Sequence, residues 1–122
     1  MRVFKGRLFA RFARKSCIAD HDLCATVKDM ERGLIDADLG GGVYKQRVRR
    51  QGAGKSGGFR TIVLLKHGKI SVFIFGFAKK DMQNITVQDL AEFRRFAKET
   101  FKYANEDIER LCEAGALEEI CD

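Results

Sequence analysis

The residue types that could act on a phosphodiester are concentrated in one part of the chain. Between Leu39 and Lys80 the sequence has ten lysines and arginines and no aspartate or glutamate. Such a cluster attracts a polyanion, and the planar guanidinium of arginine can grip a phosphate with two hydrogen bonds. The ten cations are Lys45, Arg47, Arg49, Arg50, Lys55, Arg60, Lys66, Lys69, Lys79 and Lys80. Because the chain uses 17 acids elsewhere, this pattern predicts a surface for nucleic acid.

Part of this stretch is similar to a nucleotide-binding P-loop, but the match is incomplete. Gly54-Lys55-Ser56 has the final residues of the motif, while Arg49 occupies the position that requires its first glycine. A P-loop also opens a helix, whereas this glycine-rich loop leads into a strand-like run that begins at Phe59. The loop is therefore predicted to contact a nucleic-acid backbone rather than a nucleoside triphosphate.

The apolar pattern predicts an α+β domain that begins with a strand and a helical hairpin. Val3 to Lys5 is predicted to be a short strand, and the second helix should begin near Asp20, which is expected to act as its N-cap. The apolar positions are Leu8, Phe9, Phe12 and Ala13 in the first helix and Leu23, Val27, Met30 and Leu34 in the second. The glycines at 40–42 then release the chain into strands.

The basic residues fall mainly on an antiparallel sheet. Phe59 to Lys66 and Ile70 to Ala78 are nearly continuous apolar runs, which predict a hairpin covered on both faces with its turn at His67. A strand from Val43 to Arg49 should precede this hairpin. Its alternation places Val43, Lys45, Arg47 and Arg49 on one face, and Tyr44, Gln46 and Val48 on the other.

The C-terminal part is predicted to be helical. Thr86 is expected to cap a helix that reaches Tyr103, and Asn105 a shorter one. Residues 104–122 contain seven acids and a single basic residue, Arg110. This acidic extension is expected either to fold back over the basic surface or to add a helix to a partner interface. We thus expect one domain over 1–122, with a core at about 3–103.

The four cysteines are predicted to be reduced. Cys17, Cys24, Cys112 and Cys121 include no C-x-x-C pair, and the N-terminus has charges within its apolar run, unlike a secretory signal. No stretch reaches the roughly 18 apolar residues of a membrane helix. A cytoplasmic protein is expected, without a metal or other cofactor. A zinc site at Cys17, His21 and Cys24 is disfavoured because structural zinc sites normally use four ligands.

Three segments together resemble the RelE/HigB-like toxins of toxin-antitoxin pairs. They are Tyr44-Lys45-Gln46-Arg47-Val48, Gly54-Lys55-Ser56-Gly57-Gly58-Phe59-Arg60 and Phe75-Gly76-Phe77-Ala78-Lys79-Lys80-Asp81. Each segment alone is weak, but their order matches the family over roughly Val3 to Tyr103. The resemblance implies an α+β toxin that cleaves messenger RNA at the ribosome. Its implied protein partner is an antitoxin, expected to be of the helix-turn-helix type.

Ribonuclease chemistry assigns roles to these residues. A metal-independent ribonuclease needs a base for the 2′-hydroxyl, an acid for the leaving 5′-oxygen, and cations for the charge on the phosphoryl oxygens. The resemblance implies a catalytic set of Lys45, Arg47, Arg60 and Lys80. Arg60 is expected to hold the phosphate, Lys45 or Arg47 to assist proton transfer, and Lys80 to stabilise charge. RNA contacts are expected from Arg49, Lys55, Phe77 and Lys79.

The segment after the last predicted strand departs from the family. Many relatives have a tyrosine or histidine there, whereas residues 81–86 contain neither. Two other functions therefore stay open: a non-enzymatic inhibitor similar to the gyrase poisons that share this scaffold, and a basic module that only binds nucleic acid. His67 is expected to be a turn residue at the far end of the hairpin from Arg60.

Overall fold

The structure is a computed structural model that describes residues 1–48, 59–78 and 85–121. The described elements are β1 (Arg2–Gly6), α1 (Arg7–Lys15), α2 (Asp20–Glu31), β2 (Ala37–Gly40), β3 (Val43–Val48), β4 (Phe59–Lys66), β5 (Ile70–Ala78), α3 (Val87–Thr100), α4 (Asn105–Glu113) and β6 (Leu117–Ile120). This arrangement confirms the predicted α+β class.

The described strands form one sheet in the order β2-β3-β4-β5-β1-β6. Strands β2 to β5 pair antiparallel with their sequence neighbours, as the predicted hairpin requires. The first strand differs, because β1 runs parallel to β5 and antiparallel to β6. Alternation along a strand predicts which side chains face the core, but it does not identify the neighbouring strand.

Each face of the sheet is covered by a different pair of helices. Alternate residues of β4 enter a first core with α1 and α2 (Val63, Leu65) and a second core with α3 and α4 (Ile62, Leu64). Strand β4 is therefore buried on both sides, as its continuous apolar run predicts. Gly76 permits close packing of α1, because a Cβ there would lie 2.4 Å from the ring of Phe12.

The helix boundaries test the predicted caps. Thr86 caps α3 in a reciprocal arrangement, in which Asp89 N donates to Thr86 Oγ1 and Thr86 N donates to the Asp89 carboxylate. The cap predicted at Asp20 is wrong, since Ala19 is the N-cap of α2 and the Asp20 carboxylate instead accepts a hydrogen bond from Lys5. Leu34 lies beyond the end of α2 and is exposed, so it is not part of the core.

The C-terminal residues differ most from expectation. They form α4, with Ala104 rather than Asn105 as its N-cap, and then β6, which pairs with β1 at the sheet edge farthest from β2. Three strands thus separate β6 from the basic strand β3, so β6 does not fold back over the basic surface. The prediction of four reduced thiols is also wrong, because Cys24 and Cys121 form a disulfide.

Candidate nucleic-acid interface

The strand register brings distant basic residues into one row. Arg47 on β3 is paired with Arg60 on β4, which is paired in turn with Phe77 on β5. Directly paired residues of antiparallel strands project from the same face, with Cβ atoms about 5 Å apart. Lys45 lies on this face too, two residues before Arg47. We call the surface formed by these four residues the cationic face.

The helices leave the cationic face accessible to solvent. Arg47 is exposed, and Lys45, Arg60 and Phe77 are half-buried. Helix α3 packs on the other end of the same sheet face, where its residue Ala97 is buried in the second core. Its N-terminal half also packs on the core, because Phe93 and, just before the helix, Ile85 contact the second core. Within the described residues, α3 therefore packs near Phe75, whereas Arg47 stays exposed.

Aromatic residues join the cationic face to the packed core. The rings of Phe75 and Phe77 lie 6.0 Å apart, and the ring of Phe93 on α3 lies 6.1 Å from that of Phe75. Such distances are typical of favourable aromatic pairs. Phe77 is thus supported from one side and remains half-buried beside Arg60, a position from which an aromatic ring can stack on a base.

The charges of this face are not neutralised within the part of the chain that the structure describes. There, no carboxylate forms an ion pair with Lys45, Arg47 or Arg60. Asp36 contacts the backbone of this strand, since Arg47 N donates a 2.6 Å hydrogen bond to Asp36 Oδ2. Within the described residues, the three cationic side chains are thus held by no carboxylate ion pair.

A buried amide that the sequence analysis did not select holds β3 in place. Gln46 Nε2 donates to Leu34 O at 2.9 Å, and Gln46 Oε1 accepts from Asp36 N at 3.0 Å. Thr61 Oγ1 also donates to Gln46 O at 2.8 Å. These bonds fix the strand whose alternate residues carry the cations. The sequence did contain a sign of this role, because the predicted alternation places Gln46, a polar residue, on the face of β3 that points into the core.

Tyr44 lies on the opposite face from Lys45, as predicted. It packs against the first core, and burial, followed by the nearby carboxylate of Asp38, raises the pKa of Tyr44. The phenol therefore stays protonated at neutral pH, away from the cationic face. His67 is in the turn between β4 and β5, at the end of the hairpin opposite Arg60, which is also as predicted.

Four of the predicted site residues, Arg49, Lys55, Lys79 and Lys80, lie outside the described residues. A cavity of about 620 Å³ lies between α2 and β3, and of the other four predicted site residues Arg47 alone lines it. Its lining includes Asp22, Asp29 and Asp36, whose charges are of the wrong sign for a polyanion. The solvent-accessible cationic face is thus the better candidate interface.

The described residues, 1–48, 59–78 and 85–121, also bear on two other kinds of site, a metal centre and a membrane span. Within these ranges no group of three or more His, Cys, Asp and Glu side chains is arranged to hold a metal ion. The disulfide removes Cys24 from the zinc alternative raised by the sequence. No helix in the same ranges combines the length and the apolar character needed to cross a bilayer.

The fold and the cationic face together define an α+β domain with a solvent-accessible basic surface. A family model described as the RelE toxin of the RelE / RelB toxin-antitoxin system matches residues 1–120. Since this match covers nearly the whole chain, the protein belongs to the RelE toxin family, and its resemblance to RelE-like toxins is confirmed. Membership gives it the role of a toxin with a cognate antitoxin partner. No curated protein sequence matches the chain.

Proposed function

We propose that this toxin is a metal-independent endoribonuclease that cleaves messenger RNA at the ribosome and so inhibits translation. The observation that carries the proposal is the row of Arg47, Arg60 and Phe77 across three adjacent strands. Two guanidinium groups and an aromatic ring side by side are suited to a phosphate and its neighbouring base. Membership of the RelE toxin family also supports the proposal of a ribonuclease.

The proposed reaction is a transesterification within the RNA. The 2′-oxygen attacks the adjacent phosphorus while the bond to the 5′-oxygen breaks, leaving a 2′,3′-cyclic phosphate and a 5′-hydroxyl. The proton of the 2′-hydroxyl passes to a base, and an acid protonates the departing 5′-oxygen. In the transition state, negative charge develops on the phosphoryl oxygens. Cations fixed beside these oxygens stabilise that charge.

The residues of the cationic face divide these tasks by position. Arg60, at the centre of the row, is proposed to hold the scissile phosphate, with Phe77 stacking on a neighbouring base. Lys45 or Arg47 would assist proton transfer and orient the substrate, since both lie beside Arg60 on the same face. Lysine acts as a base only when it is neutral.

The remaining proposed contacts come from residues outside the described ranges. Lys80 is proposed to stabilise the developing charge. Arg49, Lys55 and Lys79 are proposed to contact the RNA backbone, and the glycines on either side of Lys55 in the sequence would let phosphates approach that lysine closely. The toxin would act in the cytoplasm, where ribosomes are, and its antitoxin is proposed to be of the helix-turn-helix type.

The test compares the wild type with Arg60→Ala on ribosomes programmed with messenger RNA, in buffer that contains a metal chelator at a level that preserves the ribosomes. We expect cleavage by the wild type and a loss of about 10²- to 10³-fold in the variant, the effect of removing one transition-state donor. Arg11→Ala, an exposed position on α1, is the matched control and should cleave like the wild type.

Two results would contradict the ribonuclease. One is a wild type that arrests growth without cleaving RNA, with DNA damage as the cellular signature, which would favour a gyrase-directed inhibitor. The other is RNA binding that weakens steeply with salt but never leads to cleavage, which would favour a simple binding module. In cells, co-expression of a helix-turn-helix antitoxin should restore growth.

A further inference from the structure

The C-terminal segment, residues 105–121, packs on the domain through α4 and β6, and between them Arg7 donates hydrogen bonds to the carbonyls of Ala114 and Gly115. Its strand β6 has four residues and pairs with β1 at the edge of the sheet. Two ion pairs support it, Arg2–Glu119 and Lys5–Glu118, and both acids are about half exposed. Exposed ion pairs contribute little to stability. The non-covalent attachment of β6 therefore comes mainly from its pairing with β1 and from Ile120, which is 6% exposed in the first core.

A covalent bond reinforces this attachment at the end of the segment. Cys121 follows β6 directly, and its disulfide to Cys24 connects the segment to α2 across a sequence separation of 97 residues. A cross-link that closes so long a loop removes much of the entropy of the unfolded chain. It also fixes a strand edge that would otherwise fray.

The backbone at Cys121 shows that the segment is held in a costly conformation. Its φ is +67°, in the left-handed region that non-glycine residues rarely adopt. Residues stay in such conformations only where surrounding contacts impose them. The disulfide and the buried neighbour Ile120 are the contacts that hold Cys121 here. Breaking the S–S bond would remove one of these restraints and let the backbone relax.

We propose that Cys24 and Cys121 form a reversible redox latch. Oxidised, it holds the C-terminal segment on β1, and reduced by a cellular dithiol, it releases β6. A thiolate of the dithiol attacks one sulfur and breaks the S–S bond, giving a mixed disulfide and a cysteine thiolate that takes up a proton. The second thiol then resolves the mixed disulfide. Two electrons and two protons reach Cys24 and Cys121, and the reductant leaves as its own disulfide.

The remaining cysteines are poorly placed to compete for this bond. Cys112 packs against the second core, on the sheet face opposite the first core that Cys24 and Cys121 contact. Burial raises the pKa of Cys112, and the carboxylates of Glu109 and Glu119 add to this effect, so its thiol is a weak nucleophile. Cys17 is an exposed thiol beyond the end of α1. Both cysteines can therefore be replaced as a control.

The experiment equilibrates the full-length wild type in buffers of oxidised and reduced dithiothreitol, from oxidising to reducing. Free thiols are alkylated and counted by mass, and amide hydrogen exchange is followed in β1 and β6. We expect two free thiols when oxidised and four when reduced. Exchange in β6 should become at least tenfold faster on reduction, and the melting temperature should fall by something on the order of 10 °C.

Two variants complete the design. Cys24→Ser/Cys121→Ser should exchange like the reduced wild type in every buffer, whereas Cys17→Ser/Cys112→Ser should keep the full redox response. If the first variant does not fold, the redox titration of the wild type still decides. The latch is refuted if four thiols remain free under oxidising conditions, or if β6 exchanges equally slowly in the oxidised and the reduced wild type.

Discussion

The basic residues of the β1–β6 edge and those of the cationic face have different surroundings. At the β1–β6 edge, Arg2 hydrogen-bonds to Glu109 and Glu119, and the Lys5 ammonium lies within 3 Å of two carboxylates, those of Asp20 and Glu118. On the cationic face, no carboxylate within the described ranges forms an ion pair with Arg47 or Arg60. At the β1–β6 edge, ion pairs with carboxylates hold neighbouring elements together. On the cationic face, the described residues leave the arginines without such ion pairs.

These contacts shift the pKa values of Glu119 and Lys5 at the β1–β6 edge. The hydrogen bond from Arg2 lowers the pKa of Glu119, and burial opposes this shift only in part. Burial alone would lower the pKa of Lys5, but the hydrogen bonds that its ammonium donates to Asp20 and Glu118 outweigh this effect and leave the pKa raised. Both residues are thereby held in their charged forms. Charge alone therefore does not identify a functional surface, since the cations of β1 are held by carboxylates.

The largest effect is expected from a variant that gives Arg60 a carboxylate partner. Arg47→Glu places an acid in the position paired with Arg60, so the cationic face would come to resemble the β1–β6 edge. We expect RNA cleavage to fall by more than about 100-fold, with thermal stability unchanged or slightly higher. Arg11→Glu makes the same change in net charge on α1 and should retain activity. Cleavage by Arg47→Glu at the wild-type rate would remove the cationic face from the mechanism.

A second variant tests whether the buried amide holds the strand that carries the cations. Gln46→Ala leaves the carbonyl of Leu34 and the amide of Asp36 without their partner, which should cost about 1 to 3 kcal/mol of unfolding free energy. Urea denaturation measures the loss. Gln88→Ala, at an exposed position of α3, should change stability by less than about 0.5 kcal/mol. Equal stabilities of the two variants would show that β3 does not depend on this amide.

The smallest effect is expected at the ion pair between Arg2 and Glu119, where the free energy of unfolding should depend on pH. Because the folded pKa of Glu119 is lowered, its carboxylate stabilises the fold above its unfolded pKa of about 4.3, and this contribution disappears as the pH falls through the folded pKa. Wild type should exceed Glu119→Gln by less than about 1 kcal/mol at neutral pH. The difference should persist above about pH 4.3 and shrink as the pH falls below it, through the folded pKa of Glu119.

Thermal melts across this pH range provide the measurement. Glu99→Gln, on an exposed part of α3, is the matched control, for which we expect no comparable pH-dependent difference. A Glu119→Gln effect that grows towards acid pH would have the wrong sign for a carboxylate held by Arg2.

Local patterns predicted those parts of the fold that depend on neighbours in sequence. The cap at Thr86, the turn at His67 and the burial of β4 on both faces all follow from short-range residue types and spacing. Strand β6 was missed because it has only four residues, two of them glutamates, and becomes a strand by pairing with β1 at the other end of the chain. The disulfide was missed for the same reason, since a sequence separation of 97 residues says nothing about distance.

The sequence by itself determined the α+β class, the concentration of cations between Leu39 and Lys80, and the alternation that sets Lys45 and Arg47 apart from Tyr44. Only the tertiary structure decided that Arg47, Arg60 and Phe77 lie in one row, and that the cations of β1 are neutralised. The physical reason is that alternation is a property of a single strand. Register and ion pairing, by contrast, depend on which distant segments the packed core brings together.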